Sequence, residues 1–413
     1  MRINSDIENA DILIIGAGPS GSVCASLLNK EGLDVLVIEK QNFPRFSIGE
    51  SLLPQSMVFL EKAGMLDDVL KAGYQFKNGA AFRNKDSYSS FDFSKKSSDG
   101  PSNTFQVKRG EFDKRLADCA QKQGVNIRYQ HEVLSIQNFS DFCELDVNNE
   151  FGVGYKIRAN FVLDASGFGR VLPRLFNLEK NSEFPIRQSI FCHIKDRIDD
   201  INYDRGKILI SIHPQNPDVW YWLIPFSDGH CSLGIVAEPK FFSSVEGTPE
   251  ELLMHFLSEE KTLAKLLSNA TIVNQVQQIN GYSADVDSLF GKNYALLGNA
   301  GEFLDPVFSS GVTIAMKSAD LAAKVLIDER KGESVCWQRD YAEPLKKGVD
   351  TFRVLVEAWY DGRLQDIIFY DEASDDVRRM VCSILAGYAW DEQNPYVTRT
   401  ERRINVLAEI CNA

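Results

Sequence analysis

Three glycines, Gly16, Gly18 and Gly21, fall in the spacing Gly-x-Gly-x-x-Gly between a short apolar run, 11–15, and a segment of helical periodicity. That spacing suits the pyrophosphate of a dinucleotide. The first glycine makes a tight turn, the second lets the phosphates approach the backbone, and the third lets helix and strand pack closely. The free N–H groups at the helix start then face the anion. Glu39 stands 21 residues after Gly18, at the end of a second apolar run, 34–38. A carboxylate there can accept bonds from ribose hydroxyls. Glycines mark many turns, so the triplet alone is a weak signal. Both flanking runs and the acid in register favour dinucleotide binding over a structural turn.

Other residues could do chemistry but leave more than one reading open. Trp220 and Trp222 lie in a strand-like run, where alternation puts both indoles on one face. Such a face can wall off a reaction site, or it can be an aromatic pair in a sheet core. Ser310 and Gly311 precede a long helical segment, so their backbone N–H groups can hold a small anion. Lys77 sits among Tyr74, Phe76, Ala80 and Phe82. An amine in an apolar pocket has a lowered pKa. A lysine is more commonly a solvated surface charge.

Elements must position these groups. Residues 11–39 read as strand, helix and strand, with Val23, Leu27 and Leu28 turned to the sheet. Helices are expected over 54–72 and 110–124, and strands over 126–129, 133–137, 144–147 and 157–163. The middle, 185–290, is strand-rich (189–193, 207–212, 219–224, 231–237). One helix interrupts it, announced by Thr248-Pro-Glu-Glu251 as N-cap, first-turn proline and capping-box glutamate. A strand at 294–297 leads to a long helix, 311–331, and the tail from 335 is helical. The serine- and lysine-rich stretch 84–103 is expected to be a mobile surface loop.

These segments divide into a discontinuous dinucleotide-binding domain (1–184 and 291–332), a substrate domain with an antiparallel sheet (185–290) and a helical C-terminal region (333–413). The fold class is α/β mixed with α+β.

The 413 residues carry 58 acidic and 45 basic side chains, a net charge of −13. That balance argues against sequence-independent binding to nucleic acid, which demands a basic footprint. Eight cysteines and five histidines are scattered with no Cys-x-x-Cys pair, so no metal site is expected. The N-terminus lacks a basic region leading into an apolar one, and no run reaches the ~18 apolar residues of a membrane span. A cytoplasmic protein with reduced thiols is the expectation.

Longer segments carry a family resemblance. Phe105–Asp113 resembles the arginine-bearing segment of the para-hydroxybenzoate-hydroxylase-like flavoproteins, with Arg109 implied at the cofactor. The alternative for Arg109, a surface ion-pair partner, is the weaker reading. Leu163-Asp-Ala-Ser-Gly167 resembles their second backbone motif, and Leu297–Pro306 the third, with Asn299 where an aspartate is usual. An amide can still donate and accept. The resemblance implies a Rossmann-like FAD fold. It implies cofactor contacts from Gly16, Gly18, Gly21, Glu39, Lys40, Arg45, Ser47, Arg109, Asp164, Asn299, Asp305, Gly311 and Val312.

Within this superfamily the chain resembles the flavin-dependent halogenases. Pro44–Pro54 is similar to a segment they share with geranylgeranyl-reductase-like proteins. Trp220-Tyr-Trp-Leu-Ile-Pro225 matches their Trp-x-Trp-x-Ile-Pro motif, which implies roles for Trp220, Trp222 and Pro225. Lys77 aligns with their substrate-side lysine. Asp305-Pro-Val-Phe-Ser-Ser-Gly311 resembles the branch acting on phenolic, pyrrolic or carrier-bound substrates, with halide at Ser310 and Gly311. The tryptophan-acting members have a glutamate where Phe308 stands. Asp305 also resembles an aspartate that binds FAD covalently in one related group.

The activity so implied is halogenation. Chloride or bromide becomes hypohalous acid at a C4a-hydroperoxyflavin, and Lys77 delivers it to an electron-rich aromatic. The implied partners are a flavin reductase that supplies reduced FAD and a substrate that is free or tethered to a carrier protein. The tail aromatics Trp359, Tyr360, Phe369, Tyr370, Tyr388 and Trp390 could cover the substrate, or simply form core. Arg399, Arg402 and Arg403 could meet an acidic carrier, or be a solvated face. The rival activities are a geranylgeranyl-reductase-like oxidoreductase, an aromatic monooxygenase, and a flavin-binding subunit without turnover.

Overall fold

A computed structural model describes residues 7–281, 283–370, 372 and 374–412. Its first sheet is built on Ile7–Ile15, which pairs in parallel with Gly154–Asp164 on one side and Val35–Glu39 on the other. Asn126–Tyr129 extends the sheet past Val35–Glu39, and Tyr294–Leu296 extends it past Gly154–Asp164, both in parallel. Ile12, Leu13, Ile14 and all of Val35–Glu39 are buried, as expected for strands covered on both faces. Helices Pro19–Lys30 and Gly311–Arg330 cover one face, packed side by side.

The second sheet runs in the order Thr271–Ile272, Gln188–Lys195, His230–Ala237, Trp220–Pro225, Lys207–Ile212, Gly79–Asn84, Ser87–Asp92. Most pairings are antiparallel; Lys207–Ile212 meets Gly79–Asn84 in parallel. Two strands of this sheet thus come from outside 185–290. The chain is a mixed α/β and α+β fold with a helical C-terminal region, in line with the sequence.

The stretch 84–103 differs from its expectation as a mobile loop. Ser87–Asp92 is an edge strand of the second sheet, and Phe91 and Phe93 are buried. The Lys96 ammonium then donates to the carbonyls of Ser98 (2.6 Å) and Gly100 (2.8 Å). The polar composition hid two buried phenylalanines at alternate positions. The expected helix 54–72 is two, Ser56–Lys62 and Leu66–Leu70, because Gly64 turns left-handed at φ +70° between them. The capping box forms as read: Thr248 Oγ1 accepts from the Glu251 N–H, and Glu251 accepts from the Thr248 N–H at 2.7 Å. Among the described residues no helix is long and apolar enough to cross a membrane, and no cluster could hold a metal ion.

Candidate active site

A cavity of about 620 Å³ opens where the carboxyl ends of the first sheet meet the second sheet. Gly16, Gly18 and Glu39 line one end, and Trp220 and Trp222 the other. Gly16 sits at φ +97°, where an added Cβ would lie 2.7 Å from the Ala165 carbonyl oxygen. Gly21 is off the wall; a Cβ there would meet the Gly16 oxygen at 1.9 Å, so its role is close packing. Helices Pro19–Lys30 and Gly311–Arg330 both begin at this cavity. Neither has a side-chain N-cap bond or an acidic residue in its first turn. Two sets of helix-start N–H groups therefore face one space, a positive field suited to phosphate and to a small anion.

Side chains fix the geometry between these ends. Glu39 accepts from the backbone N–H of Ala17 and of Gln41, both at 2.9 Å. Lys40, at the rim, pairs with Glu132 at 2.7 Å. Arg109 grips fully buried Asp113 through Nε (2.8 Å) and Nη2 (3.0 Å), and donates to the Ile48 carbonyl at 2.5 Å. Arg45 joins the same carboxylate at 3.2 Å. One carboxylate thus orients two cavity-wall arginines, and Arg109 is an anchored wall residue with a buried partner. Ser47, Asn299, Gly311 and Val312 line the cavity as well.

Several predicted site residues stand off the wall. Asp164 is fully buried, accepting from the N–H of Ser166 (2.9 Å) and Leu172 (2.6 Å). It shapes the turn whose Ala165, Ser166 and Gly167 reach the cavity. Asp305 is buried too; it accepts from the Val307 N–H at 3.0 Å and from the Tyr360 hydroxyl at 2.8 Å. Burial pushes its carboxyl up to about 6, against the pull of those two donors and Arg187. Ser310 is buried at the helix start, while Ser309, left-handed at φ +57°, lines the cavity beside Gly311. Pro225 ends its strand away from the wall.

The two indoles share one face, their ring centroids 6.0 Å apart. Gly234 on the neighbouring strand makes room, since a Cβ there would lie 2.3 Å from the Trp222 ring. Trp222 Nε1 donates to Ser232 Oγ at 3.0 Å, and Trp220 Nε1 to the Tyr360 hydroxyl at 3.1 Å. Tyr360 in turn holds Asp305, and the Arg187 guanidinium lies 3.7 Å from its ring centroid. The wall is locked through a residue 140 positions away.

Lys77 is 1% exposed. Its amine donates to the Leu52 carbonyl at 2.7 Å and lies 5.6 Å from the Phe93 ring centroid. Burial lowers its pKa to about 7. It is off the cavity wall, behind the segment whose Glu50 and Ser51 line the cavity.

Residues 9–230 match the FAD binding domain family. A flavoprotein/dehydrogenase structure from Cytophaga hutchinsonii is 43% identical, with a TM-score of 0.95, over 98% of this chain and 99% of its own. The chain belongs to the FAD-binding-domain family. It is 27% identical to a 1H-pyrrole-2-carbonyl-[peptidyl-carrier protein] chlorinase of Pseudomonas fluorescens, over 97% of this chain and 94% of that protein. A flavin-dependent brominase structure is 26% identical with a TM-score of 0.85, over 97% of this chain and 99% of its own. With the Trp-x-Trp-x-Ile-Pro motif, these place it among the flavin-dependent halogenases, as an FAD-dependent enzyme.

FAD fits the residues present. Gly16 and Gly18 offer bare backbone to the pyrophosphate, Glu39 is poised at the ribose end, and the second helix start lies at the other end of the same cavity. Sequence reasoning missed Asp113, although it closes the quoted Phe105–Asp113 segment. It also missed the Glu50–His193 contact at 2.7 Å and Tyr360 as the tie between Trp220 and Asp305. Asp113 stands four residues from Arg109 on one helix, a spacing open to the sequence, whereas the other partners lie 55 to 143 positions apart. No local pattern marks such pairs.

Proposed function

We propose that this enzyme halogenates an electron-rich aromatic, phenolic or pyrrolic, and that Lys77 receives hypohalous acid and presents it to the ring. The observation that carries this reading is Lys77 itself. It is a fully buried amine with a carbonyl and an aromatic ring for neighbours, and burial pushes its pKa down to about 7. Such an amine is available unprotonated near neutral pH, which a solvated lysine is not. Reduced FAD with oxygen supplies the oxidising power that converts halide to hypohalous acid. Ser309, Ser310 and Gly311 at the helix start would hold the chloride or bromide. The tryptophan wall keeps the aromatic away from the cofactor, so that delivery through Lys77 is the productive route. The transfer balances as ring C–H plus hypohalous acid giving ring C–halogen plus water.

Phe308 supports the electron-rich substrate. It is buried against Trp359, with ring centroids 6.0 Å apart, so no carboxylate stands there to assist an unactivated ring. Likeness to pyrrolyl-carrier halogenases over most of the chain supports a carrier-tethered substrate. Exposed Arg399, Arg402 and Arg403 offer an acidic carrier a contact. A separate flavin reductase would provide the reduced FAD.

The test is product mass after incubation with a flavin reductase, NADH, oxygen, chloride or bromide, and free and carrier-loaded phenols and pyrroles. A halogen isotope pattern is expected. Gain of one oxygen would select a monooxygenase. A change of two hydrogens would select the dehydrogenase or reductase reading, which likeness to the Cytophaga flavoprotein/dehydrogenase favours.

A further inference from the structure

Lys77 does not stand alone in its buried compartment. The strand Gln75–Lys77 pairs antiparallel with Thr104–Gln106, which puts Lys77 directly opposite Thr104. Gln106, two residues on, shares that face, because side chains alternate along a strand. Ser51 bridges to Gln106 in antiparallel register, and the Lys77 amine bonds the carbonyl of the next residue, Leu52. Ser51, Lys77, Thr104 and Gln106 are all at most 4% exposed. Yet among the described residues Ser51 Oγ, Thr104 Oγ1 and Gln106 Oε1 have no hydrogen-bond partner.

Three unpartnered buried oxygens on one face are costly unless something polar meets them. Their chemistry restricts what that is. The Gln106 amide nitrogen is turned to the Arg205 carbonyl at 3.4 Å, which leaves its oxygen as a pure acceptor. An acceptor repels a bare halide and requires a donor. The two hydroxyls can donate or accept, and the amine, once neutral, offers a lone pair. The visitor therefore needs one O–H and one accepting oxygen, no net charge and a very small volume. Water meets this at rest, and hypohalous acid is the molecule of this kind that the proposed function supplies. Ser51 also lines the cofactor cavity, so this face begins where the cavity ends.

We infer that Ser51, Thr104 and Gln106 form a landing site that holds one molecule of neutral hypohalous acid beside the Lys77 amine. The inference rests on the proposed function and assigns it three positioning residues. Gln106 accepts the O–H of the acid, while Thr104 and Ser51 donate to its oxygen. The halogen is thereby left pointing at Lys77, and escape to solvent is slowed.

The experiment compares wild type, Thr104→Val, Thr104→Ser and Gln106→Met as FAD-loaded enzymes with a flavin reductase, chloride and a substrate that wild type halogenates. Free hypohalous acid, caught by an excess of a diffusible β-diketone, is measured against ring-halogenated product at equal oxygen uptake. Thr104→Val, which keeps the shape and loses the hydroxyl, should shift the ratio toward free acid by roughly tenfold. Gln106→Met should do the same, and Thr104→Ser should restore the wild-type ratio. A loss of fold would lower oxygen uptake and FAD content but would leave the ratio per turnover unmoved. If Thr104→Val does not fold, Gln106→Met decides. An unchanged ratio in the folded variants would overturn the landing site and leave the halogenase reading standing. Absence of halogenated product from wild type across the substrate panel would overturn that reading, and this inference with it.

Discussion

The glycine-lined cavity and the Lys77 compartment meet at Ser51 but work by opposite physics. The cavity binds with backbone: two helix starts, bare glycines and arginines anchored on one carboxylate. Its partner is a large anion, so exposed N–H groups and open space are what it needs. The Lys77 compartment is closed and works by desolvation. Lys77 there meets a carbonyl and a ring, and burial alone draws its pKa down. On the proposed function, cofactor binding and halogen delivery use different materials a few residues apart, so each should be open to damage without the other.

Lys96 sharpens the point. It too is buried, but its ammonium is held by the Ser98 and Gly100 carbonyls, with the Tyr388 ring below it. Two accepting carbonyls hold an ammonium in place and make it a staple for its loop. Burial lowers the Lys96 pKa as well; the difference is that two accepting carbonyls occupy its ammonium where Lys77 has one.

The largest effect should come from the cavity. Gly16→Val would force a branched side chain onto a left-handed residue and into the Ala165 carbonyl. The purified variant should carry no FAD by absorbance and give no product, and retention of FAD would break the backbone account. Next, Trp222→Ala should keep FAD but raise hydroxylated product or peroxide relative to halogenated product. An unchanged ratio would remove the wall from the account.

A third check is pH dependence. Because burial lowers the folded pKa of Lys77 to about 7 from 10.5, the unfolded chain binds the extra proton between those values. Lys77 therefore destabilises the fold below about pH 7, and this penalty is relieved as pH rises toward 10.5. Denaturant unfolding of wild type minus Lys77→Met should show stability rising across that window, and a flat difference would contradict the desolvated amine. The smallest effect is expected at Lys96. Lys96→Met should lower stability by about 1–3 kcal/mol, the scale of lost buried hydrogen bonds, and leave the product ratio alone.

The sequence made the cavity legible because backbone chemistry leaves a spacing: Gly16 and Gly21 have no room for a Cβ, Gly18 keeps the backbone bare, and Glu39 ends the next strand. The Trp220–Trp222 pair was legible for the same reason, through alternation. Asp113 was legible but overlooked, since it stands four residues from Arg109 on one helix; Tyr360 and the unpartnered face around Thr104 were not legible. Their meaning comes from partners brought together by two sheets and a C-terminal helix, and no periodicity records that. The stretch 84–103 misled because its serines and lysines outnumber the two phenylalanines that bury it. Lys77 was singled out by resemblance; its burial could only be seen in the fold.

On the proposed function, Lys77 delivers halogen and takes no part in holding FAD. Single-turnover reactions of wild type, Lys77→Met and Lys77→Arg, matched for bound FAD and oxygen uptake, test it most directly. Both variants should bind FAD like wild type and make roughly 10²–10⁴-fold less halogenated product. Arginine should fail because a guanidinium does not give up its proton. Full product from either variant at equal FAD content would contradict the account.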